Sequence, residues 1–139
     1  MPHLQFEMNF PATASDKSAF AERVKALFAE IMDTGTDHIG ITLRAHGGND
    51  LFFGRALDPA QGIVFLNADI RNGRSAAQKR RLALAIIDEL HHRWRVPKES
   101  IYIIYTERPG EHFQLSDRVL PNWSQGEDPL ADPPEMNRP

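Results

Sequence analysis

IVFLNADIRNGRSAAQK, residues 63–79, is the stretch on which the fold turns. Its first eight residues form an apolar, β-branched-rich run that reads as a strand over 63–70. A polar turn, Arg71-Asn72-Gly73-Arg74, follows directly. Ser75 with Gln78 three positions on is a capping box, the signature of a helix start. Leu82, Ile86, Leu90 and Trp94 then recur at helical spacing until Pro97 breaks the pattern. IYIIYTE, residues 101–107, is the next strand, so this half of the chain is a β-α-β unit.

The first half has the same plan. Residues 3–9 alternate, with Leu4, Phe6 and Met8 on one side and His3, Gln5, Glu7 and Asn9 on the other, the period of a strand. From about Ser15, the residues Phe20, Val24, Leu27, Phe28 and Ile31 define an amphipathic helix. After the turn Asp33-Thr34-Gly35-Thr36, HIGITLRA at 38–45 predicts a second strand. The expected fold class is therefore α/β (α+β), with two β-α-β units in one four-stranded sheet and two helices on one face. LFFGRA, residues 51–56, is expected to add a short edge element. Domain-like patterning covers residues 1–120, and the Pro-rich stretch 121–139 predicts an extended or partly disordered tail.

IVFL and IYII are apolar on both sides of their strands, yet two helices cover only one face of a sheet. The other face then needs a partner, and burial against sister subunits predicts a homo-oligomer.

Composition removes several function classes. A formal charge of −3 and a pI near 6.0 over 139 residues provide no global attraction for nucleic acid or an anionic membrane, so anion recognition must be local. Without cysteine there is no disulfide, thiolate metal site or cysteine nucleophile. His91 and His92 are adjacent and diverge on a helix, a poor metal pair, so no metal site is expected. No cofactor is expected either. The basic residues bracketing the second helix read as a solvated face. The N-terminus lacks a signal-peptide pattern and no stretch has the apolar length of a membrane span, which predicts a cytoplasmic protein.

Two constellations can carry chemistry. Proline at position 2 becomes a cyclic secondary amine once Met1 is removed, and strand one begins at once, so the sheet would hold that amine in place. Burial or a neighbouring cation would keep it neutral, able to take a proton from carbon or to attack a carbonyl. The alternative is an incidental residue before a strand. The second constellation is Arg71 and Arg74, two guanidiniums beside a helix N-terminus, which suit a small organic acid, or else are solvated turn residues.

Pro after the initiator Met, the two β-α-β units, and FLNADIRNGRSAAQK at 65–79 followed by a helix and IYIIY together resemble the tautomerase superfamily. The resemblance is to its long-subunit members, among them cis-3-chloroacrylic acid dehalogenase and malonate semialdehyde decarboxylase, and runs from about residue 2 to about residue 121. It implies a homotrimer with a site around each N-terminal proline. Pro2 matches the catalytic proline, and Arg71 and Arg74 match the pair that binds the substrate carboxylate in the dehalogenase. The dehalogenase's tyrosine would fall at Ile104, its water-activating glutamate near Leu115, and its histidine near Ala29 or Glu30. The decarboxylase's aspartate matches Asp37, which also reads as a turn residue.

The expected function is an enzyme catalysing keto–enol or other 1,3-proton transfer on a small 2-oxo or 2-hydroxy unsaturated carboxylate. Pro2 would move the proton, Arg71 and Arg74 would hold the carboxylate and stabilise oxyanion charge, and Phe53 or Tyr105 would line the pocket. One alternative is a decarboxylase, hydratase or dehalogenase of a 3-oxo or 3-halo acid, with cationic Pro2 partnered by Asp37 or another carboxylate. The other is a non-catalytic trimeric ligand-binding protein.

Overall fold

A computed structural model describes residues 2–128. Strand β1 (Pro2–Met8) leads into helix α1 (Ala14–Ile31) and strand β2 (Gly40–Ala45), and strand β3 (Val64–Arg71) leads into helix α2 (Ala76–Trp94) and strand β4 (Ile101–Arg108). The strands form one sheet in the order β2-β1-β3-β4. Each β-α-β unit contributes a parallel pair, and the units join through antiparallel β1 and β3 in the register Pro2↔Ile70 to Met8↔Val64. Among the described residues no helix is long and apolar enough to cross a membrane.

Strand alternation determines what is buried. Leu4, Phe6 and Met8 of β1 share the helix-covered face with Val64, Leu66, Ala68 and Ile70 of β3. Phe20, Val24, Leu27, Phe28 and Ile31 of α1 and Leu82, Ile86 and Leu90 of α2 close the core against them. Phe6 and Phe20 meet edge to face at 5.1 Å, and Trp94 lies on Phe20 at 4.9 Å. The capping box at the start of α2 is formed in both directions, Gln78 N–H donating to Ser75 Oγ and Ser75 N–H to Gln78 Oε1.

Two sequence expectations need correction. The second strand begins at Gly40 rather than residue 38, because a turn closed by Ile39 N–H on the Thr36 carbonyl (3.2 Å) occupies the preceding residues. LFFGRA forms no strand, since Ala56 N–H turns back onto the Phe53 carbonyl at 3.0 Å. Phe53 instead packs edge-on against Phe65 and Tyr102 of the face opposite the helices.

That opposite face is divided. The β1–β2 side is polar: His3 meets Thr42 at 2.9 Å, and Glu7 accepts from Arg44 at 2.8 Å and lies 2.6 Å from His46 Nε2. The β3–β4 side is apolar, with Phe65, Tyr102, Ile104 and Phe53 around a depression of about 300 Å³. Only this second half matches the two-sided apolar strands read from IVFL and IYII.

Phe20 is fully buried, and Phe20→Ala is expected to destabilise the fold by about 3–5 kcal/mol in denaturant titrations. Burial alone would raise the Glu7 carboxyl, but the His46 and Arg44 hydrogen bonds and the charge of both residues outweigh it and hold Glu7 below its ordinary 4.5. The unfolded chain therefore takes up that proton first. The stability Glu7 contributes is complete above about pH 4.5 and is lost as pH falls toward the lower folded value. Glu7→Gln should flatten this part of the acid-unfolding curve.

Candidate active site

The strand directions gather one end of the molecule. The start of β1 and of β2, the ends of β3 and β4, the C-terminus of α1 and the N-terminus of α2 converge there. Pro2 is buried there opposite Ile70, the residue before Arg71. Arg71 ends β3, and Arg74 lies at the threshold of α2, one residue before the Ser75 cap.

Both arginines are withdrawn from solvent, Arg71 completely and Arg74 to 6% exposure. Arg71 donates through Nη1 to the Pro121 carbonyl at 2.8 Å, and through both Nη atoms to the two carboxylate oxygens of Glu127, a bidentate buried ion pair. Arg74 donates through Nε to the Met32 carbonyl at 3.1 Å. Its guanidinium lies over the rings of Phe28 and Trp123, 5.3 Å from each centroid. Both Nη atoms of Arg74 are buried without a hydrogen-bond partner. Burial, and after it the charge of Arg71, lowers Arg74 to about 10, against the opposing influence of Glu127 and Asp33. It remains a cation at neutral pH. Two aligned, unpaired N–H-bearing nitrogens in a dry site match a carboxylate's two oxygens.

Glu127 and Trp123 belong to a strap that begins at Pro121, inside the stretch expected as a tail. The strap is anchored along its length. Trp123 N–H donates to the Asn72 carbonyl at 2.9 Å, its indole N–H to the Asp33 carbonyl at 2.8 Å, and Gly126 N–H to Asp33 Oδ2 at 2.7 Å. Gly73, at φ +127°, allows this approach, since a Cβ there would lie 2.5 Å from the Trp123 carbonyl oxygen. The remainder of the expected tail, 129–139, lies outside the described residues.

Asp37 is exposed on the wall of a cavity of about 320 Å³ that it shares with Asp33, Glu127 and Asp128. Next to it His38, half-buried, has an Nδ1 with no partner. Burial, and then nearby positive charge including that of Arg118, holds the imidazole below its usual value, hence neutral at pH 7.

Residues 1–115 match the macrophage migration inhibitory factor (MIF) family. The chain belongs to that family. No curated protein sequence matches it significantly. Among solved structures it is similar to N1, a member of the cis-3-chloroacrylic acid dehalogenase family, with a TM-score of 0.77 and 22% identity over 86% of this chain and 84% of that one. FG41 malonate semialdehyde decarboxylase inhibited by 3-bromopropiolate is similar at a TM-score of 0.69 and 19% identity over 81% and 88% of the chains. An asymmetric trimer of a fused 4-OT is similar at 0.72 and 15% over 84% and 94%. The MIF-family fold is thus the tautomerase-superfamily fold expected from the resemblance.

Within this MIF-family chain the two aromatic residues expected to line the pocket lie elsewhere. Phe53 is on the face away from the helices beside Phe65, which pairs with Glu7, about 17 Å along the strand from Pro2. Tyr105 points to the helix side, where its hydroxyl donates to the Lys79 carbonyl at 2.7 Å and burial pushes its ionisation upward. Ile104 and Leu115 carry no group that can activate water. Sequence reasoning passed over Glu127, Trp123 and His38. The tail's lack of periodicity concealed the first two, and an isolated histidine before a strand carries no signal.

Gly73→Ala would force the strap away from the β3–α2 turn. We expect a loss of about 1–3 kcal/mol in stability and a red-shifted Trp123 emission. Gly48→Ala, where a Cβ meets nothing within 4 Å, should leave both unchanged.

Proposed function

We propose that this protein is an enzyme in which Pro2, freed by removal of Met1, shuttles a proton between carbon and oxygen of a small 2-oxo or 2-hydroxy unsaturated carboxylate. Arg74, with Arg71 beside it, receives the carboxylate and stabilises negative charge as the enolate forms. The observation that carries this is the pair of buried, unpartnered Nη atoms of Arg74 at the end of the sheet where β1 begins at Pro2.

The chemistry follows from the surroundings. A prolyl amine buried opposite the residue before Arg71 loses affinity for its own proton, because desolvation, and any like charge that reaches it, oppose the ammonium form. As a neutral base it removes a proton α to the carbonyl. The resulting enolate is stabilised by donors already in position and not drawn from reorganising water. The same amine, now protonated, returns the proton to the other end of the conjugated system, so no net proton is consumed.

The apolar half of the uncovered sheet face supports assembly as a homotrimer, as does the trimer named for the fused 4-OT relative. A second reading, decarboxylation or hydration of a 3-oxo acid with a cationic Pro2, is favoured by one observation. Asp37 stands on the same cavity wall as Glu127. The pH–rate profile separates the two, since a neutral Pro2 gives activity that rises with pH and a cationic Pro2 gives activity that falls.

Intact-mass measurement should show the loss of one Met residue. Against enolised 2-oxo acids, Pro2→Ala should lower kcat/KM by about 10²–10⁴-fold. Arg74→Gln should raise KM by about 10–100-fold, the effect of losing one charged hydrogen-bonding partner. Quantitative retention of Met1, or full activity of Pro2→Ala, would sink the proposal. In sedimentation the protein should behave as three times 15.7 kDa, and Ile104→Glu should shift it toward monomer.

A further inference from the structure

We propose that Glu127 is a specificity-determining residue, a tethered carboxylate that occupies Arg71 until an acid substrate displaces it. The inference rests on the carboxylate-binding role given above to the two arginines.

Four observations converge. Arg71 is fully buried and its guanidinium is forked by both carboxylate oxygens of Glu127, the arrangement an incoming carboxylate would adopt. Three residues after Arg71, Arg74 has two buried Nη atoms with no partner, and Arg71 itself keeps an unpartnered Nε, so the closed form leaves hydrogen-bonding capacity unused, most of it on Arg74. Trp123, whose ring lies against the Arg74 guanidinium, and Glu127 lie on one strap, so uncovering one arginine uncovers the other. The cavity bordering Glu127 is lined by Asp33, Asp37 and Asp128, which places the carboxylate beside an existing space of about 320 Å³.

Breaking a buried ion pair by removing one partner is strongly unfavourable, because it leaves a charge without compensation. A ligand can lift the strap only if it brings its own negative charge to Arg71. An uncharged analogue of the same shape cannot, and water cannot. Glu127 therefore makes entry an exchange of one carboxylate for another, with Arg74's idle nitrogens providing the difference in favour of the substrate. No bond is made or broken in this step. The selectivity is for acids over their neutral amides or esters, and its strength is set by how firmly the strap competes. Removing the competitor raises apparent affinity by the reciprocal of the fraction of molecules that had been open, so a tenfold gain corresponds to about one open molecule in ten.

Two measurements test this on the full-length protein, with pyruvate as probe and pyruvamide as its uncharged counterpart. In the Glu127→Gln variant, calorimetric titration should show pyruvate binding about tenfold more tightly than in the parent, with Glu111→Gln unchanged. Unchanged or weaker pyruvate binding in Glu127→Gln would overturn the inference. The second measurement leaves the strap intact, in case Glu127→Gln fails to fold. Trp94→Phe makes Trp123 the one tryptophan of the chain. Saturating pyruvate should shift its emission to the red and increase its quenching by acrylamide, and pyruvamide should do neither. Pyruvate binding with no change at Trp123, or an equal change with pyruvamide, would refute the displacement. Failure here is separable from failure of the catalytic proposal. Tighter pyruvate binding in Glu127→Gln without Pro2-dependent turnover condemns only the catalysis. Turnover dependent on Pro2 and Arg74 with no effect at Glu127 or Trp123 condemns only the exchange.

Discussion

The antiparallel pairing of β1 with β3 is the constraint from which the rest of this molecule follows. Each β-α-β unit could form its parallel pair alone, but neither would bury its helix fully or place its residues against the other's. The register Pro2↔Ile70 does both at once. It aligns Leu4, Phe6 and Met8 with Ala68, Leu66 and Val64 beneath the two helices, and it sets the first residue of β1 against the last residues of β3. A slip of one residue would turn the apolar side of β1 away from the helices and carry Pro2 off Ile70 together. Core formation and site assembly are therefore specified by the same ladder of hydrogen bonds.

The arginines show how a fold can hold cations where water cannot reach them. Arg71 is matched by a carboxylate at close range, and Arg74 is held by one backbone carbonyl and two aromatic faces. These are different solutions with different consequences. A matched charge is partly offset by its partner, whereas a guanidinium lying against aromatic rings keeps two nitrogens unpaired. Burial, and after it the charge of Arg71, lowers Arg74 to about 10.

Periodic patterns were legible because burial writes them. The alternation at Leu4, Phe6 and Met8, the helical spacing at Phe20, Val24 and Leu27, and the Ser75–Gln78 box each follow from a local rule, and each element appears within a residue or two of its expected place. Pro2, Arg71 and Arg74 were legible as candidates because their chemistry is unusual at those positions, and topology brings them to one end of the sheet. LFFGRA misled because aromatic content mimics a strand when the partner is a sheet face and not a sheet edge. Phe53 and Tyr105 were assigned by type alone, and type does not say which face of a sheet a side chain takes. Glu127 could not be found, since a contact across 56 residues between a strand end and an aperiodic segment leaves no spacing to read.

The match to the family ends at residue 115, and the strap carrying Trp123 and Glu127 starts after it. The strap is tied to the Asn72 carbonyl and to Asp33, and none of its residues enters the cluster of buried apolar side chains between sheet and helices. The segment that screens the two arginines from water can thus be rewritten without unpacking the core, so the environment of those cations and the stability of the fold are separable quantities.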